Sequence, residues 1–115
     1  MRWLLLLLVG CGSPYYRDID PVGVVWRFYG GSNDPPSIRV VDDCVAYEGK
    51  CYEGVYLPAR HEVKVVWRGA WSETALCHEL MHAKQWEFRR LDFLHELPEW
   101  VLVEEANNRL RENGL

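Results

Sequence analysis

Apolar positions along this chain change period twice, and the changes mark the elements. Val22-Gly23-Val24-Val25-Trp26-Arg27-Phe28 is rich in β-forming residues and predicts an extended segment. Gly30 to Pro36 is a loop, with glycine at one end and proline at the other. Ser37 to Val45 and Tyr52 to Leu57 predict the arms of a hairpin, and Val63 to Trp67 alternates in part before stopping at Arg68-Gly69, so it predicts a further strand. From Ser72 to about Arg90 no proline intervenes and the pattern becomes helical. Ser72 is placed as N-cap, Trp71 and Leu76 as a hydrophobic staple, and Glu73 at the positive helix end. Leu91 to Leu97 has no clear period. A second helix is predicted from about Pro98 to Arg111, with proline in its first turn and Gly114 beyond its end. Strands first and two helices after predict an α+β fold, the helices packed on one side of a small, mostly antiparallel or mixed sheet.

With 115 residues, 49% of them hydrophobic and six of them tryptophan, the chain has material for one domain with a modest core. Its net charge is −4 and its basic residues are scattered, Arg89-Arg90 being the one adjacent pair, so it lacks the electrostatic footprint of a nucleic-acid-binding protein.

The first residues read as an export signal. Arg2 supplies a minimal positive region and Trp3 to Val9 an apolar run too short to span a bilayer. Leu8-Val9-Gly10-Cys11 then resembles the lipobox of bacterial lipoproteins, although both the charged and apolar regions are short for that class. The resemblance implies residues 1–10 as a cleaved signal, Cys11 as a lipidated membrane anchor, residues 11–21 as anchor and tether, and 22–115 as the folded domain. It implies an exported protein held at the cell envelope, at the outer membrane if the host has one, since glycine and not aspartate follows the cysteine. Cleavage removes Arg2 and takes the formal charge from −4 to about −5.

An exported chain meets an oxidising compartment, so one disulfide is expected among Cys44, Cys51 and Cys77. Three pairings exist. Cys44 with Cys51 is favoured because Glu48-Gly49-Lys50 forms a turn between extended segments, which leaves Cys77 as a buried thiol on the first helix.

That helix carries the chemistry. In His78-Glu79-Leu80-Met81-His82 two histidines four apart share one helical face and can reach a single ion, while Glu79, about 100° round, is placed to accept a proton from a water activated there. Ala75, Leu76, Cys77, Leu80, Met81 and Ala83 make the surroundings apolar, so these polar groups need a partner, and a divalent cation with its water supplies one. Core histidines bonded to backbone are the simpler alternative. They would not call for the whole five-residue pattern, which is the H-E-x-x-H of zinc metallopeptidases.

A catalytic zinc site has three protein ligands and an open position. Downstream donors are His95, Glu96, Glu99, Glu104 and Glu105. Phe88 stands where the metzincin pattern requires histidine, which excludes that group. Over about residues 63–111 the chain resembles the gluzincin zinc peptidases, which take a glutamate from the next helix, commonly as E-x-x-x-D. The resemblance implies Glu104 as third ligand, with Glu105 as rival and His95 as a further alternative. Asn108 replaces the family's aspartate, so it would orient a ligand without adding charge. A sheet whose edge strand aligns an extended peptide is also implied.

The sequence thus predicts a lipid-anchored zinc metallopeptidase hydrolysing peptide bonds, with His78, His82 and Glu104 on Zn²⁺, Glu79 as general base, and a peptide or protein as substrate. His61, His95 and the tyrosines are candidates for stabilising the oxyanion. An inactive zinc-containing envelope lipoprotein acting as a binding or structural module is the alternative, favoured by the small size and opposed by Glu79. Trp67, Trp71, Trp86 and Trp100 read as core and rim packing, and Gln85 as a hydrogen-bonding neighbour of His82.

Overall fold

The computed structural model describes residues 20–67, 75–90 and 95–114. The signal, Cys11, nearly all of the tether, Trp71, Ser72, Glu73 and Leu91 to Leu94 lie outside them. The fold is α+β, with a three-stranded mixed sheet, a separate antiparallel pair and three helices.

The first element corrects the prediction of a strand: α1 is a helix over Pro21–Tyr29. Val22, Val25, Trp26 and Tyr29 fall at i, i+3, i+4 and i+7, and that helical stripe outweighs the β propensity of valine and tryptophan once it packs on a core. Pro21 opens the helix and Gly30, at φ 86°, closes it.

The sheet is also wired differently. Strand β1 (Ser37–Val41) does not form the predicted hairpin; it runs parallel to β5 (Glu62–Val66), with Ile38 opposite Val63 and Val40 opposite Val65. The hairpin is β2 (Val45–Tyr47) with β3 (Lys50–Tyr52), turning at Glu48 and Gly49, both at positive φ as a type I′ turn requires. Cys44 and Cys51 bridge it, with Cα atoms 5.5 Å apart, and Cys77 is the buried free thiol, both as expected. β4 (Gly54–Leu57) then pairs antiparallel with β5, giving the order β1-β5-β4. The central strand β5 buries Val63, Val65 and Val66, and it precedes the motif helix as predicted.

α2 spans Leu76–Glu87 and α3 spans Val101–Glu112, the latter entered through a single 3₁₀ turn over Pro98–Trp100. One core joins all layers: Val25 and Trp26 from α1, Val63 and Val65 from β5, Leu76 and Leu80 from α2, and Ala106 and Leu110 from α3. The Tyr29 hydroxyl donates to the Cys77 carbonyl at 2.9 Å and so fixes α1 against the first turn of α2.

A close approach sets the height of α2 beneath the sheet. A Cβ on Gly54 would lie 3.0 Å from Glu79 Cγ, 3.0 Å from Ala75 Cβ and 3.2 Å from the Lys64 carbonyl, so only glycine lets β4 rest on this turn of the helix. Gly54→Val is expected to cost about 1–3 kcal/mol, as overpacking does, and to displace Glu79. Denaturant unfolding of the variant checks the size of the loss.

Candidate metal centre

His78 and His82 lie on one face of α2, one turn apart, because the helix is regular from Leu76 to Glu87. Their ring centroids are 4.9 Å apart. The third group is His95, from the segment between α2 and α3, with centroids 4.8 Å from His78 and 5.1 Å from His82. One ligand nitrogen from each of the three can be chosen so that all lie within 4.8 Å of one another.

His95 replaces the expected Glu104 in this cluster. α3 is held to the core by Ala106 and Leu110, which rolls Glu104 and Glu105 outward, and both are exposed. Glu99 is engaged elsewhere: Arg90 donates to it from Nε at 2.8 Å and from Nη2 at 3.0 Å, and Gln85 Nε2 donates at 3.3 Å. The Arg90 guanidinium holds the Glu99 carboxyl below the usual carboxylate range. Gln85 therefore serves the turn before α3, and its Oε1 is buried without a partner among the described residues.

The Arg90–Glu99 pair has a second effect. It joins the residue that leaves α2 to the turn that enters α3, closing the loop that carries His95. His95 itself sits at φ 59°, a left-handed conformation that costs a non-glycine residue about 1 kcal/mol or more and that the surrounding structure must enforce. Arg90→Ala is expected to weaken metal binding about two- to five-fold, the value of a half-exposed ion pair, without removing a ligand. Isothermal titration with zinc would show it.

The donor set fits a metal. Two nitrogens bound to one tetrahedral ion at about 2.0–2.1 Å stand about 3.3–3.4 Å apart; His82 Nε2 and His95 Nε2 are 3.3 Å apart. Burial, and then the charge of His95, push the His78 imidazolium toward its neutral form, the form that ligates. Trp100 packs against all three rings, its centroid 4.9, 5.0 and 4.6 Å from His78, His82 and His95. An indole in that position restricts imidazole rotation and excludes water from one side. Trp100 is thus packing, as the sequence reading has it, but packing of the site, while Trp67 and Trp86 are half-exposed.

Glu79 lies one residue after His78 and is 6% exposed. Burial raises its carboxyl from 4.5 to about 7, so it can take up or release a proton near neutral pH. His61, a candidate for the oxyanion, is placed outside the triad: its Nδ1 pairs with the Tyr56 hydroxyl at 2.9 Å and its Nε2 with the Asp34 carbonyl at 2.7 Å. Cys77 is no part of the donor set. It is fully buried, and burial pushes its thiol up to about 12.

No family model, curated protein or solved structure matches this chain. What the site does is read from its own residues. His78, His82 and His95 are close enough to hold a metal ion. His95 is among the downstream donors in the sequence, whereas the gluzincin pattern points to a glutamate on α3. A histidine 13 residues after His82, just ahead of Pro98, was the available signal.

Proposed function

We propose that the protein is a zinc-dependent metallopeptidase, with His78, His82 and His95 as ligands and Glu79 as general base. The observation that carries the reading is the pairing of three converging imidazoles with a buried carboxylate one residue from a ligand. A structural site would use the imidazoles and have no need of the carboxylate. Three neutral nitrogens and an open fourth position suit zinc, which supplies Lewis acidity and makes water acidic enough to deprotonate near neutral pH.

The chain's own groups then do the rest. Glu79 takes the proton from the attacking water and returns it to the leaving amine, a cycle favoured by a carboxyl poised near 7. β4 supplies alignment. The Val66 N–H donates to the Glu53 carbonyl at 2.9 Å, so by ladder alternation the backbone groups of Gly54 and Tyr56 point away from β5, to an edge that no strand covers among the described residues. Gly54 touches Glu79, and a peptide paired along that edge passes the base.

The lipobox-like Cys11 supports placement at the cell envelope on a lipid anchor. No helix among the described residues is long and apolar enough to cross a membrane. The test of the activity is metal analysis of the purified protein after reconstitution, together with cleavage of a mixed peptide library. About one zinc per chain and metal-dependent cleavage are expected; zinc without cleavage returns the protein to a binding role, and no zinc removes both.

A further inference from the structure

A cavity lies between α2 and β4. It has a volume of about 400 Å³ and is lined by Ala83, Trp86 and Glu87 of α2, by Tyr56 of β4, and by Asp34 and His61. We infer that this cavity receives a lysine or arginine side chain of the peptide, two to four residues from the bond that is cut. The inference rests on the peptidase reading and adds a substrate class to it.

Position comes first. Ala83, Trp86 and Glu87 follow Glu79 on α2 by four, seven and eight residues, which is about 6–12 Å along the helix axis. An extended peptide covers that in about two to four residues at 3.3 Å each. β4 spans both places, since Gly54 rests on Glu79 and Tyr56 lines the cavity.

Chemistry selects the occupant. The cavity is lined by two carboxylates and by no lysine or arginine. Glu87 is held in place, its Oε1 accepting from the buried Lys84 at 3.1 Å and its Oε2 from the Ser32 N–H at 3.0 Å, so its charge is balanced from within. Asp34 is exposed, and its carboxylate has no ion-pair partner among the described residues. Trp86 is 43% exposed and offers an indole face. Arg89 already lies 5.9 Å from that ring, so the ring draws a guanidinium of this same chain. His61 is held by Tyr56 and the Asp34 backbone and gives the rim a fixed shape. A long aliphatic stem on Tyr56 and Ala83, with a cationic head between Trp86 and Asp34, suits a cavity that is part apolar and part acidic.

The experiment uses the zinc-loaded full chain carrying Glu79→Gln and blocked heptapeptides that differ at one position, holding arginine, lysine, norleucine or glutamate. Arginine and lysine peptides are expected to bind about tenfold more tightly than the norleucine peptide, the combined effect of a cation–π contact and a partly exposed ion pair, with glutamate weakest. Asp34→Asn and Trp86→Leu should each remove about threefold of that preference and leave zinc content unchanged. Norleucine binding as tightly as arginine, a preference indifferent to both substitutions, or no peptide binding at all overturns the inference. If the basic preference holds while the parent protein cleaves nothing, the peptidase reading fails and what stands is a cavity that binds a basic side chain of a peptide. Cleavage by the parent with no basic preference does the reverse.

Discussion

His95→Ala is expected to lose the metal, while Glu104→Gln is expected to keep it. The two substitutions separate the ligand the structure brings to the site from the one the gluzincin resemblance implies. Removing one of three imidazoles leaves two donors from one helix, and the affinity should fall by more than about 100-fold, beyond the 10- to 100-fold typical of losing an outer-shell partner. Glu104 is exposed on α3 and should change affinity by less than about twofold, the scale of a distant surface charge. Equilibrium dialysis against a zinc buffer measures both. Folding is not at risk, since His95 is exposed and outside the core formed by α1, β5, α2 and α3. Retention of zinc by His95→Ala together with its loss in Glu104→Gln would require α3 to roll about its axis, carrying Ala106 and Leu110 out of the core.

What the sequence made legible follows from how local each signal is. The H-E-x-x-H face and the motif helix depend on residues within one or two turns and both are present, although the helix begins at Leu76, past the expected Ser72 cap, and ends at Glu87. The Cys44–Cys51 bridge depended on a turn of two residues and was legible for the same reason. α1 departs from the expected strand because valine and tryptophan favour strands in isolation, whereas the packing of α1 on α3 and α2, with Val25 and Trp26 in the shared core, is a tertiary fact. The β1–β5 pairing joins residues about 25 apart in parallel, and nothing local announces a parallel register. His95 was hidden more deeply. Its place depends on the chain reversing after α2 at Arg89, which takes φ 59° without the glycine that would mark such a cap, and on Arg90 meeting Glu99. Trp100 likewise reads as a generic aromatic until the three rings it touches have been assembled.

Glu79→Gln is the substitution that distinguishes an enzyme from a protein that only binds metal. Glutamine keeps the shape of the side chain that rests against Gly54, so the fold is retained. In the metal-free protein it should also remove a cost. An acid whose folded value is raised from 4.5 to about 7 lowers stability as pH rises above 4.5, and the loss is complete once pH passes about 7. The amide has no such ionisation, so the metal-free variant should melt no lower than the parent at neutral pH. Zinc stoichiometry should be unchanged, because His78, His82 and His95 are untouched. Hydrolysis should fall by about two to four orders of magnitude, the usual contribution of a general base, while peptide affinity is preserved. The comparison needs three readings on the same samples: zinc by mass spectrometry, peptide affinity by fluorescence, and turnover by chromatography. Equal turnover with glutamate and glutamine at position 79 would remove the base from the mechanism, and with it the reason to read the three histidines as a catalytic centre.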